Sequence, residues 1–165
     1  MNIPAGQGAD VARSLRDALG TWATGVAVAT TLDRAGLPVG MTINSFAAVS
    51  LEPPLVLWSA RHGVPPFDAF EVADAFVVHV LAADQQALSD RFAQVGGDKF
   101  AGLGWRPGRD GLPVLDGALA RFECRVAHRY PGGDHLLLIG EVLDFEQHEG
   151  APLLFHRGGY RRLGG

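Results

Sequence analysis

Two β-rich runs, residues 119–129 and 135–147, meet at Tyr130-Pro131-Gly132-Gly133-Asp134, and this junction constrains the fold more than any other stretch. Gly, Pro and Asp supply the backbone angles and side-chain capping that a reversal needs, so the pair reads as one long antiparallel hairpin. The same logic pairs residues 25–32 with 38–46 across the turn Asp33-Arg34-Ala35-Gly36. Residues 55–60 continue the sheet, 76–81 add a strand, and 152–156 with 159–163 form a final short pair. Helical spacing appears three times. Asp10 reads as the cap of a helix over 10–22 with Val11, Leu15, Ala18, Leu19 and Trp22 on one stripe. Pro65-Pro66 opens a short helix to about Val72. Asp84 reads as the cap of a third, running to Gln94 with Leu88, Arg91, Phe92 and Val95 at spacings of three and four. The glycine-rich residues 96–117 read as a long connection with little structure of their own. Strands joined mostly by hairpins, with peripheral helices, predict a mainly β chain folded as a closed or partly closed antiparallel barrel.

A chain of 165 residues is the size of one domain and buries roughly 70% of its unfolded surface, so residues 1–165 are expected to form a single unit. Residues 1–9 are expected to be flexible. A net charge of −4 with no basic run longer than Arg161-Arg162 argues against a nucleic-acid surface and toward a small-molecule partner. The N-terminus lacks a basic start followed by an apolar stretch, and the most apolar windows, 55–58 and 75–83, fall far short of the roughly 20 residues of a membrane helix. A cytoplasmic protein with no membrane association is expected. The lone cysteine, Cys124, alternates within Phe122-Glu123-Cys124-Arg125-Val126 and reads as a buried structural thiol.

Several chemistries lack their motifs. No Gly-x-Gly-x-x-Gly joins a strand to a helix, since Gly102-x-Gly104 lies in the irregular connection, so a dinucleotide must bind some other way. The histidines, His62, His79, His128, His135, His148 and His156, show no pair at i, i+4, and no metal site is expected. No Gly-x-Ser-x-Gly elbow suggests acyl transfer. What remains is Gly40 to Trp58, a polar strand, a hydroxyl-bearing turn and a proline-stiffened return, which suits a bound phosphorylated ring. Strand alternation puts Thr42 and Asn44 on one face and Met41, Ile43 and Ser45 on the other. Taken as residues alone, Thr42, Asn44, Ser45 and Ser50 read first as satisfied strand and turn groups, with ligand contact the lesser alternative. The loop Ser59-Ala60-Arg61-His62 reads as exposed, or as backbone amides and a cation beside a phosphate.

The runs Thr24 to Thr31, Gly40 to Pro54 and Gly133-Asp134-His135 together resemble the short-chain flavin reductases that supply reduced flavin to two-component monooxygenases. The likeness spans roughly residues 15–163. It implies the FMN-binding split β-barrel, with Greek-key-like antiparallel strands, working as a homodimer with flavin near the subunit interface. FMN or FAD would be the flavin, NADH or NADPH the reductant, and a monooxygenase component the recipient. By the same resemblance Thr42, Ile43, Asn44, Ser45 and Ser50 line the flavin and its phosphate, and Ser59, Ala60 and Arg61 lie beside the ribityl phosphate. Phe92, Lys99 and Phe100 lie near the phosphate or adenine end, Tyr160 adds an aromatic wall, and His135 positions the nicotinamide. Family members commonly carry hydroxyl residues at Ala47 and Ala48 and asparagine at His79, which leaves the flavin hydrogen-bond pattern open. Two rival readings are a flavin-binding module without turnover and a flavin-retaining oxidoreductase acting on an organic substrate.

Overall fold

The computed structural model describes residues 8–164. The expectation of a flexible N-terminus lies outside the described residues for 1–7, and from Gly8 the chain is helical. In order, the elements are α1 (Gly8–Leu19), β1 (Thr24–Gly25), β2 (Ala27–Leu32), β3 (Pro38–Ile43), β4 (Ala47–Leu51) and β5 (Pro54–Arg61). There follow α2 (Phe67–Val72), β6 (Ala75–Val80), α3 (Gln86–Ala93), β7 (Trp105–Pro107), a 3-10 turn (Arg109–Gly111) and β8 (Pro113–Leu115). The last third holds β9 (Ala120–Gly132), β10 (His135–Gln147), β11 (Leu154–His156) and β12 (Gly159–Arg161).

Seven strands form one antiparallel sheet in the order β3-β2-β6-β9-β10-β5-β4. The long hairpin is present, with only Gly133 and Asp134 between its strands, and Gly133 at φ +70° takes the left-handed angle that the turn demands. The sheet's two edges, β3 and β4, are consecutive in the chain, with only Asn44, Ser45 and Phe46 between them. From Ile43 to Ala47 an extended chain reaches at most about 14 Å, whereas the edges of a flat seven-stranded sheet stand about 29 Å apart. The sheet therefore curls until its edges approach. The Ser59 amide donates to the Ser45 hydroxyl at 3.0 Å, pinning the crossover to β5.

Inside the curl lies a core of Ile43, Val56, Trp58, Phe70, Phe76, Val78 and Leu138, with Trp58 edge-on to Phe70 at 4.8 Å. On the outer side of β2, Val26 and Val28 join Leu81, Phe92, Phe100, Leu115 and Leu153 in a second cluster. β2 is buried on both faces, and its Thr30 and Thr31 are buried with their hydroxyls bonded to the Pro113 and Ala75 carbonyls. Cys124 is buried, and desolvation pushes its thiol up to about 12, as befits a structural residue.

Four local expectations change. Asp10 does not cap α1, which begins at Gly8 and ends at Leu19, so Asp10 lies in its first turn and Trp22 falls beyond its end. Residues 47–51, read as a turn, form edge strand β4, because β5 offers them a free ladder after the tight return at Glu52-Pro53. Asp84 does not cap α3: Gln85 occupies that position, its side-chain oxygen accepting the Ala82 amide at 2.9 Å. Residues 96–117 carry more order than expected, since β7 and β8 form a hairpin whose Pro113, Val114 and Leu115 are buried against the sheet.

Candidate active site

A cleft of about 390 Å³ opens where β3, α3, β12 and the loop after β5 converge, within the usual range of small-molecule sites. Residues 41–44 run along one side. The expected alternation holds only to Ile43, where β3 ends, so Asn44 takes its direction from the crossover and stands exposed at the cleft. The Thr42 hydroxyl donates to the Ser89 carbonyl on α3 at 2.6 Å. Phe92 and Tyr160 supply aromatic wall, and Phe155 meets Tyr160 edge to face at 5.6 Å.

Two cations belong to the lining, Arg61 and Lys99. The Lys99 ammonium donates to the Phe92 carbonyl at 3.0 Å, and burial lowers its pKa from the ordinary lysine value. That bond uses one of three ammonium protons and leaves the others for a ligand. A pair of cations flanking an apolar slot suits a molecule with a planar ring and an anionic tail.

Thus Thr42, Ile43, Asn44, Arg61, Phe92, Lys99 and Tyr160 converge on one cavity from separate parts of the chain. Ser45, Ser59 and His135 lie next to it and do not line it. Cross-strand partners share a face of the sheet, and the pairs His135 with Arg61 and Leu137 with Ser59 put these side chains on the outward face of β5 and β10. Here the His135 Nδ1 meets the Asp134 carboxylate at 2.8 Å, a bond that holds that carboxyl below its ordinary pKa. Ala60 points the other way and is wholly buried in the core. Phe100 is likewise core, edge-on to Phe92 at 5.2 Å, and borders a smaller neighbouring cavity. Ser50 sits on β4, outside the cleft lining, where its hydroxyl accepts the Glu52 amide at 3.2 Å and supports the turn.

His79 lies away from the cleft. It is fully buried, donating from Nδ1 to the Val28 carbonyl at 3.1 Å and accepting the Leu115 amide at Nε2 at 3.0 Å. Those two bonds select one neutral tautomer, and burial lowers its pKa to about 4. Ala47 and Ala48 are exposed on β4, also outside the lining. Ser89, which the sequence reading passed over, is a fully buried cleft residue, and a serine within the apolar stripe of a short helix was the available signal.

The chain belongs to the flavin reductase like domain family, whose pattern matches residues 19–164. It is 48% identical over 156 residues to an FMN reductase (NADH), SmoA, from Agrobacterium fabrum, covering 94% of this chain and 88% of that one. It is 42% identical over 151 residues to HsaB, the reductase subunit of a flavin-dependent monooxygenase from Mycobacterium tuberculosis, covering 90% of this chain and 80% of that one. Among solved structures, the NADH:FAD oxidoreductase SgcE6 of Streptomyces globisporus, in complex with NAD and FAD fragments, superposes with a TM-score of 0.88 at 34% identity, covering 99% of this chain and 98% of that one.

Proposed function

We propose that the chain is an NAD(P)H:flavin oxidoreductase that hands reduced FMN or FAD to a partner monooxygenase, working as one domain on the FMN-binding split barrel. The observation that carries this is the convergence of Asn44, Arg61, Lys99 and Tyr160 on one cleft in a chain of this family. The curl that brings β3 close to β4 supports the barrel. The relatives named as an FMN reductase (NADH), a monooxygenase reductase subunit and an NADH:FAD oxidoreductase support the reaction and the recipient.

The residues present fit a flavin. When bound, flavin and nicotinamide supply the chemistry, a hydride passing from nicotinamide C4 to flavin N5. Arg61 and Lys99 would neutralise the phosphate, and Asn44 would meet the polar ring edge with donor or acceptor. Tyr160 and Phe155 would wall the ring and exclude water. His135 would hold the carboxamide end of the reductant, with Asp134 fixing the imidazole. No acid or base is required of the chain.

A homodimer in the cytoplasm is part of this reading. Among the described residues no helix is long and apolar enough to cross a membrane. The outward face of β5 and β10 carries half-buried Leu57, Leu137 and Ile139, while Val49, Leu51 and Tyr130 are exposed, a surface that a second copy would cover.

The test is nicotinamide oxidation by EDTA-treated protein, followed in the near ultraviolet with NADH or NADPH and with FMN, FAD, riboflavin or no flavin. Oxidation that requires added flavin is the expected result. No rate above the free-flavin background would refute the reading. Sedimentation at micromolar concentration should give twice 17.5 kDa.

A further inference from the structure

Ser89 lies within α3 with no exposed surface, yet both of its polar ends leave the helix. Its carbonyl accepts the Thr42 hydroxyl at 2.6 Å, and its own hydroxyl shares a hydrogen with the Tyr160 hydroxyl at 2.8 Å. Thr42 stands on β3, Tyr160 on β12, and all three residues line the one cleft. A helical serine often returns its hydroxyl to the carbonyl one turn back; here it reaches across to another element. The Tyr160 ring is also braced by Phe155, edge to face at 74°. A phenol fixed at its ring by one contact and at its oxygen by another has little freedom left to tilt.

We infer that Ser89 is a positioning residue of the flavin site, holding the Tyr160 ring and the β3 strand at a set separation so that a planar ring enters a slot of fixed width. The inference rests on the flavin reductase reading above. Without the Ser89 hydroxyl, the Tyr160 phenol would lose its fixed partner and the ring would regain torsional freedom. The bound ring would then have to order its own wall, at a cost in affinity.

The test compares Ser89→Ala, Tyr160→Phe and the double variant in the full chain, by flavin fluorescence titration and steady-state kinetics. Each single change should raise the flavin Kd about three- to tenfold, the effect of one neutral hydrogen bond. The double variant should bind no more weakly than either single one, and the loss should fall on the flavin KM more than on kcat. A second readout needs no flavin. The chain has 2 tyrosines, so in a Tyr130→Phe background ultraviolet titration reports Tyr160 alone. Burial raises the Tyr160 phenol, the Ser89 bond pulls it down, and the neighbouring Asp90 pushes it up. Ser89→Ala should therefore move its titration to higher pH. An unchanged flavin Kd in Ser89→Ala, additive losses in the double variant, or an unmoved phenol titration would each overturn the inference. Wild-type protein that binds no flavin would instead remove the reading beneath it, while the phenol titration would still report whether Ser89 holds Tyr160.

Discussion

Arg61 and His135 are direct cross-strand partners at the ends of β5 and β10, so a cation of the cleft and the imidazole beyond the hairpin turn share one face of the sheet. The flavin phosphate and the nicotinamide would be served from adjacent positions by different residues. His135→Ala should slow flavin reduction, or raise the KM for NAD(P)H, by about tenfold, the loss of a positioning contact worth about 1.4 kcal/mol. Flavin affinity should hardly change. Stopped-flow reduction at saturating flavin decides it: an unaltered rate with unaltered NAD(P)H dependence would leave His135 with no part in the reaction.

Asn44 stands exposed at the cleft and makes no side-chain hydrogen bond within the described chain. Its amide is free for a ligand, so Asn44→Ala should weaken flavin binding by about 0.5–1.5 kcal/mol. Thermal stability should stay near that of the wild type. Fluorescence titration showing wild-type affinity would take Asn44 out of the site.

His79 makes stability depend on acid. Between pH 6.5 and about 4 the unfolded imidazole binds a proton that the buried native one does not, so stability rises with pH in that window and is lost as pH falls through it. The contribution is about 3 kcal/mol when fully expressed. Urea denaturation of wild type and His79→Gln across this range should show the difference between them shrinking, then reversing in favour of the variant, toward the acid end. A difference that does not vary with pH would rule the linkage out.

Arg121 answers three carboxylates: it pairs with Glu123, with Asp144 at 3.0 Å and with Glu146 at 2.8 Å. Glu123 is buried, and its other oxygen accepts the Arg109 amide at 2.7 Å. Removing the cation would strand a buried charge, so Arg121→Ala should destabilise the fold by about 3–5 kcal/mol. Adding Glu123→Gln should recover part of that loss in chemical denaturation. A single variant as stable as the wild type would mean that solvent already satisfies Glu123.

Most strands were legible in the sequence because their signals are local. Gly133 and Asp134 reverse β9 into β10 within their own backbone angles, and Asp33 closes the turn before β3 by accepting the Ala35 and Leu37 amides at 2.8 and 2.9 Å. The resemblance carried by Gly40 to Pro54 and Gly133-Asp134-His135 pointed to the family for the same reason, as short contiguous motifs. The β7–β8 hairpin was missed, since its buried Pro113 to Leu115 are few and their partners lie on β2 and β6, distant in sequence: the Thr30 hydroxyl bonds the Pro113 carbonyl at 2.6 Å and His79 takes the Leu115 amide.

The cleft itself belongs to the tertiary structure. Nothing near Ser89 in the chain specifies that its hydroxyl meets Tyr160, and nothing near Ala60 says that its neighbours Ser59 and Arg61 face outward while it packs in the core. Local propensity acts over a few residues and sets strands, turns and helices. Which strand lies beside which, and which helix covers a given face, is decided by burying both faces of the curled sheet at once. That global condition places Thr42, Ser89, Lys99 and Tyr160 around one cavity. The sequence by itself determined most of the strands, the long hairpin and the family; the curl of the sheet decided which strands lie side by side and which of their side chains meet.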